Sequence, residues 1–189
     1  VYVLNIPKLV DARVADQSGL PTSTSIWPNT TIQMNLSYEV LQTNAATQEH
    51  INLVRVFLRV IAVELLKRGE THDLSKMSPE EVDAFTEYTP KLKTCIYGSN
   101  EYKRYLAEIA PALEHHYKCS RHHPEHFDSG IRGMNLVDIL ELFCDWTAST
   151  KRHADGDINR SIEINQKRFN MSDDLVAIFK NTIELLERP

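Results

Sequence analysis

"TQEHINLVRVFLRVIAVELLKR", residues 47–68, decides the fold class. His50, Val54, Phe57, Ile61 and Leu65 recur at steps of three and four, the spacing that stacks side chains on one stripe of an α-helix. The stretch therefore predicts an amphipathic helix with that stripe, His50 included, turned into a core. From here to the C-terminus the period stays helical. "SPEEVDAFTEY" (78–88) opens with Ser78 as N-cap, Pro79 at the first helical position and Glu81 three residues beyond the cap, a full start signal. "SNEYKRYLAEIAPALEHHYK" (99–118) sets Tyr102, Leu106, Ile109, Leu113 and His116 on one stripe, with Pro111 as a kink point. "NLVDILELFCDWTASTKR" (135–152), "DINRSIEINQKRF" (157–169) and "SDDLVAIFKNTIELLER" (172–188) follow, the last opened by Ser172 before an acidic first turn. Pro and Gly break the period in "CSRHHPEHFDSGIRG" (119–133), which reads as a loop with one helical turn. The expectation is an all-α domain of about five or six helices over residues 45–189.

Residues 1–44 are different in kind. They hold "PTSTSIWPNT" (21–30), and in "TIQMNLSY" (31–38) Ile32, Met34, Leu36 and Tyr38 alternate with polar residues at the period of a half-buried strand. An extended N-terminal arm is expected. Its strand could pair with "VYVLNI" (1–6) or with a second copy of the chain, giving a homo-oligomer, or the arm could lie on the domain unpaired.

With 189 residues, 42% of them hydrophobic and 25% charged, the chain has the length and composition of one folded domain. Its net charge of −5 opposes a partner such as duplex nucleic acid, which calls for a basic excess. There is no apolar run of the roughly 18 residues that a membrane span needs, and the first residues lack the order of a secretory signal, so the cytoplasm is the expected compartment. Cys95, Cys119 and Cys144 form no CxxC pair, and the six glycines form neither GxGxxG nor a Walker pattern, so no disulfide framework, zinc knuckle or phosphate loop is indicated.

The chemistry gathers in two places. In "GETHDLSKMSPEE" (69–81), His72 and Asp73 stand side by side with Ser75 and Lys76 behind them. Such a pair is either a capping turn or two ligands for one ion; with capping assigned to Ser78, the ligand reading gains. Further on, five of the eight histidines, His115, His116, His122, His123 and His126, fall within twelve residues. Asp145 sits in the apolar "NLVDILELFCDW", where a lone carboxylate costs several kcal/mol unless a cation or partner meets it. Imidazole and carboxylate together suit a divalent transition ion.

The order His50, His72-Asp73, Asp145 resembles the H…HD…D pattern of the HD-domain superfamily of metal-dependent phosphohydrolases, and "HDLSK" is similar to its common "HDIGK" or "HDLGK" string, with Ser75 where Gly is frequent. "THDLSKMSPEE", "HHPEHF" and "DILELFCDW" also look like an HD-like family of bacteria and bacteriophages; the likeness covers residues 46 to about 170. The resemblance implies an HD-domain-like helical bundle holding Mn, Fe, Co, Ni or Zn through His50, His72, Asp73 and Asp145. It implies hydrolysis of a small phosphorylated metabolite, a nucleotide first, by metal-bound hydroxide attacking phosphorus. Asp73 and Lys76 would be catalytic, Lys76 also meeting a phosphate oxygen.

His116 and His123 would hold a second ion, as in the two-metal branches that cleave cyclic dinucleotides or, as di-iron oxygenases, break C–C or C–P bonds. In those branches the intervening histidines are well separated, whereas here they lie within one short loop, so one ion or two stays open. His115, His122 and His126 are candidates for substrate binding, Glu141, one turn before Asp145, for orienting a ligand, and Arg121 and Glu125 for lining the pocket. His153 reads as solvent-exposed, Trp146 and Tyr117 as core. A non-catalytic module that sequesters a nucleotide is the reading from another class.

Overall fold

Seven α-helices and no strand make up the described residues of the computed structural model, which are 37–96, 98–152 and 156–187. The all-α expectation holds. The helices are α1 (Tyr38–Thr71), α2 (Val82–Thr94), α3 (Asn100–Glu108), α4 (Ala110–Cys119), α5 (Leu136–Thr150), α6 (Ile158–Phe169) and α7 (Asp173–Leu186). Short 3-10 turns occupy Leu74–Met77, Pro124–His126 and Gly130–Gly133. The count exceeds five or six because Pro111, which has no N–H and crowds the preceding turn, divides the segment after Ser99 into α3 and α4 at Ile109.

Two boundaries differ from the sequence reading. The helical region starts at Tyr38 and not near residue 45, because Ser37 Oγ accepts from Val40 N at 3.4 Å and Glu39 supplies an acidic first turn. The strand proposed for residues 31–38 lies otherwise outside the described residues, as do "VYVLNI" and His153. The second difference is at Ser78. The helix begins at Val82, Ser78 Oγ is buried without a hydrogen-bond partner, and Glu81 turns inward instead of closing a capping box. Two histidine donors, of which His116 is buried, give Glu81 charge-assisted bonds that a cap would not match.

A division of the chain falls after Ala45. In the unit that follows, the core lies between α5, α6 and α7, where Phe143, Ile158, Ile162, Met171, Val176 and Phe179 are buried together. Phe143 and Phe179 stack at 4.8 Å between centroids, and Trp146 packs edge-on against Phe179 at 5.9 Å. Burial of each such large side chain contributes about 1.5–3 kcal/mol. Caps suit the termini: Asn135 makes a capping box with Asp138, and Asp157 and Ser172 accept from the first turns of α6 and α7. With Ile139, Phe143 and Trp146 committed to the core, Asp138, Glu141 and Asp145, spaced three and four apart, are left on another face of α5.

The expected burial of the α1 stripe is not found. From Ala46 to Val63 every residue is exposed, with Phe57 at 63% and Ile61 at 41%. Only Glu64, Leu65 and Arg68 become half-buried toward the helix end. Periodicity reports which face seeks cover, not what supplies it.

Candidate metal centre

Where α1 ends, the backbone turns sharply. Asp73 has φ 58° and ψ 12°, the left-handed region that Asp and Asn tolerate better than other side-chain-bearing residues. Its side chain makes no capping bond to the following 3-10 turn. Both oxygens are instead presented to histidines: Oδ1 lies 3.2 Å from His116 Nε2 and 3.4 Å from His122 Nε2, and Oδ2 lies 3.6 Å from His72 Nε2.

The histidines come from α4 and the loop behind it. His116 is 1% and His122 2% exposed, and His116 Nε2 sits 3.0 Å from His123 Nε2. Asp73, His116, His122 and His123 each bring one donor atom into a group whose members all lie within 4.8 Å of one another. His72, Asp73 and Asp145 form a second such group, and His72, His122 and Glu141 a third. Asp73 belongs to the first two.

Two carboxylates hold the rings from behind. Glu81, fully buried, accepts from His115 Nδ1 at 2.7 Å, from His116 Nδ1 at 3.1 Å and from Ser75 Oγ at 3.2 Å. Glu141 Oε1 accepts from His72 Nδ1 at 3.0 Å and lies 3.1 Å from His122 Nδ1. A carboxylate on Nδ1 fixes the tautomer and leaves Nε2 free to coordinate. Glu141 is itself held by Arg68 Nη1 at 2.8 Å, while Arg68 Nη2 reaches Asp138 at 3.0 Å. Arg121 grips the same fully buried Asp138 through Nε and Nη2 at 3.0 and 2.8 Å, so α1, the loop and α5 are tied at one carboxylate.

The charges shift one another's proton affinity. Hydrogen bonds to Asp145 and Glu141 push His72 up to about 10 against the effect of burial. For Asp73, burial favours the neutral acid, but His116, His122 and Lys76 outweigh it and hold the carboxyl far below its usual range. Glu141 is likewise lowered, burial being overcome by His122 and His72. His123 goes the other way, down to about 3, through burial first and then its neighbours His122 and His116. Asp73 and Glu141 therefore favour the carboxylate form among the surrounding imidazoles.

A divalent cation fits this donor set. Asp73 Oδ1 and His122 Nε2 are both buried with no hydrogen-bond partner, and both point into the first group. Atoms so placed cost free energy unless something between them accepts their lone pairs. Three imidazoles and a carboxylate suit a transition ion better than magnesium or calcium.

Of the residues read from the sequence, the fold brings together His72, Asp73, His116, His122, His123, Glu141 and Asp145, with Lys76 Nζ 2.6 Å from Asp73 Oδ2. His50 is not among them. It is exposed on α1, 22 positions before His72, and at about 1.5 Å per residue a continuous helix sets it roughly 30 Å away. His115 stands behind Glu81, and His126 gives Nδ1 to Tyr117 O at 2.9 Å, a bond that pins the loop to α4. Glu125 pairs with Arg168 at 2.6 Å and does not line the centre. Arg68 and Asp138 are additions; the capping-box spacing Asn135 to Asp138 was a sequence signal for the second, but nothing local marks Arg68.

A cavity of about 190 Å³ opens over the centre between Arg68, His72, Asp73, Ser120, Arg121 and His122. A larger one of about 510 Å³, beside Arg132 and Phe169, holds none of the converging donors.

Residues 39–185 match a protein family described as a family of unknown function (DUF5662), and the chain belongs to it. No curated protein and no solved structure matches the chain.

Proposed function

We propose that this DUF5662 member is an HD-type, metal-dependent phosphohydrolase acting on a small phosphorylated metabolite, a nucleotide first among them. The observation that carries the reading is the convergence of His116 and His122 Nε2 on Asp73 Oδ1, with His123 Nε2 3.0 Å from His116 Nε2 and with Glu81 and Glu141 fixing two of the rings from behind. A divalent ion bound there supplies an activated water near neutral pH and polarises a phosphoryl oxygen. Asp73, His116, His122 and His123 would hold the ion; His72 Nε2 lies 3.6 Å from the other Asp73 oxygen and 3.6 Å from Asp145 Oδ1. Lys76, 34% exposed, exchanges its bond with Asp73 for a phosphate oxygen, and Arg121, 42% exposed at the cavity rim, adds positive charge toward an anion. The cavity has room for a phosphoryl group.

A second reading rests on the group His72, Asp73 and Asp145, which adjoins the first and shares Asp73. Two ions bound there would suit a di-iron oxygenase. One experiment separates these readings: metal analysis of protein purified without added metal, joined to phosphate release from a panel of nucleotides and sugar phosphates, with Asp73→Ala beside it. The hydrolase reading expects bound metal, released phosphate and the loss of both in the variant. Iron with the signature of a coupled pair and no phosphate release would favour the oxygenase. A nucleotide bound but unchanged would favour the sequestering module. Metal content and turnover unaltered in Asp73→Ala would remove the site itself.

A further inference from the structure

Helix α1 carries an apolar surface that the described helices leave uncovered. Gln48, Asn52, Arg55 and Arg59 lie on one narrow stripe, joined by hydrogen bonds from Gln48 to Asn52 at 3.1 Å and from Arg55 to Asn52 at 3.4 Å. The other ten residues from Ile51 to Val63 are all apolar, so at 3.6 residues per turn the apolar arc takes in roughly three quarters of the circumference. A helix apolar over so wide an arc belongs in an interior.

The sequence also needs that interior for the helix to persist. Six of the thirteen residues from Ile51 to Val63 are Val or Ile, whose branched side chains lose rotamer freedom in a helix and lower its propensity. Helices get most of their stability from packing. Between Ala46 and Val63 the described residues bury no side chain. Whatever covers α1 must therefore be present whenever the chain folds.

We propose that the cover is a second copy of this chain, packed on α1 between Ile51 and Leu66. A copy brings the same surface in equal amount, the condition for an isologous interface. The area agrees. The large apolar residues from Ile51 to Leu66, Leu65 apart, each leave 38–69% of their surface exposed, which together come to roughly the 800 Å² that each partner contributes to a stable interface. An arc this wide needs neighbours on two sides, which a copy supplies through its own α1 and the helical unit attached to it. A membrane surface fits less well: a helix lying in a bilayer interface shows a broad, strongly charged face, whereas this polar stripe is narrow. Among the described residues no helix is long and apolar enough to cross a membrane. The proposal is independent of the metal centre.

Sedimentation equilibrium of the full-length protein at micromolar concentration tests it. At least twice the mass of one chain is expected. Phe57→Glu, which puts a charge in the middle of the apolar arc, should weaken association at least ~100-fold, while Arg59→Glu on the polar stripe should leave it within about tenfold. A monomeric wild-type protein overturns the proposal, whether vesicles or residues 1–36 then prove to cover the helix. Association of Phe57→Glu as tight as wild type overturns it too. Should Phe57→Glu fail to fold, amide exchange in wild-type α1 decides: protection over 51–66 that falls on dilution supports the interface, and protection independent of concentration refutes it.

Discussion

Helices α1 and α5 are both rich in large apolar residues, and both send charged side chains to the same centre, but they do so from opposite circumstances. In α5 the apolar residues Ile139, Phe143 and Trp146 are anchored against α6 and α7, and that anchorage aims Asp138, Glu141 and Asp145. In α1 the apolar body is left uncovered by the described residues, and only its last turns, with Arg68, and the residues just past its end, His72 and Asp73, meet the centre. A side chain on α5 is placed by a core; one at the end of α1 is placed by ion pairs.

The sharpest way to break that contrast is Phe143→Ala. Emptying the space of a ring that is 1% exposed should cost about 3–5 kcal/mol in denaturant unfolding and reduce metal binding with it. A loss under about 1 kcal/mol would mean that α5 is not held as described. The next effect belongs to the polar face. Glu141→Gln removes a charge that steadies His72, His122 and Arg68, and a metal titration should show affinity about 10–100-fold lower with the fold intact. Unchanged affinity would strip Glu141 of any orienting part.

The smallest effect is a pH dependence of the metal-free protein. Glu141 and Asp73 are lowered in the fold, so what they contribute is present above ordinary carboxylate values near 4.5 and is lost as pH falls through their depressed range. His72 is raised from 6.5 to about 10, so its contribution is complete below 6.5 and is lost as pH climbs through 10. His123, lowered to about 3, costs stability below its ordinary 6.5, so melting of chelator-treated protein should be highest near pH 6.5. Bound metal takes the place of the protons and should flatten that dependence on the alkaline side. A melting temperature that keeps rising from pH 6.5 to 9 without metal would contradict the ion pairs assigned to His72.

Much of this was readable from the chain because the signals were local. Helical periods give helices where expected, and the cap at Ser172 and the break at Pro111 act over a few residues. The adjacency of His72 and Asp73, the histidine cluster and a carboxylate in an apolar helix each flagged chemistry without knowledge of the fold. What escaped was set by distance. Arg68 and Asp138 are 70 residues apart and meet only after α1, the loop and α5 come together. His50 carried a pattern of residue types in the right order, but order along a chain says nothing about a rigid helix that separates two positions by roughly 30 Å. Glu81 was read as a cap because its spacing from Ser78 fits one, and two histidines from α4 outbid the backbone for its charge.

The left-handed backbone at Asp73 bears on how the centre should be dissected. Asn accepts that conformation about as readily as Asp, and Ala does not. Asp73→Asn thus takes away one negative charge and keeps the hinge, whereas Asp73→Ala takes away both. The gap between the two variants measures how much of the donor geometry resides in a single pair of main-chain torsions, at the joint where a long helix stops and the chemistry begins.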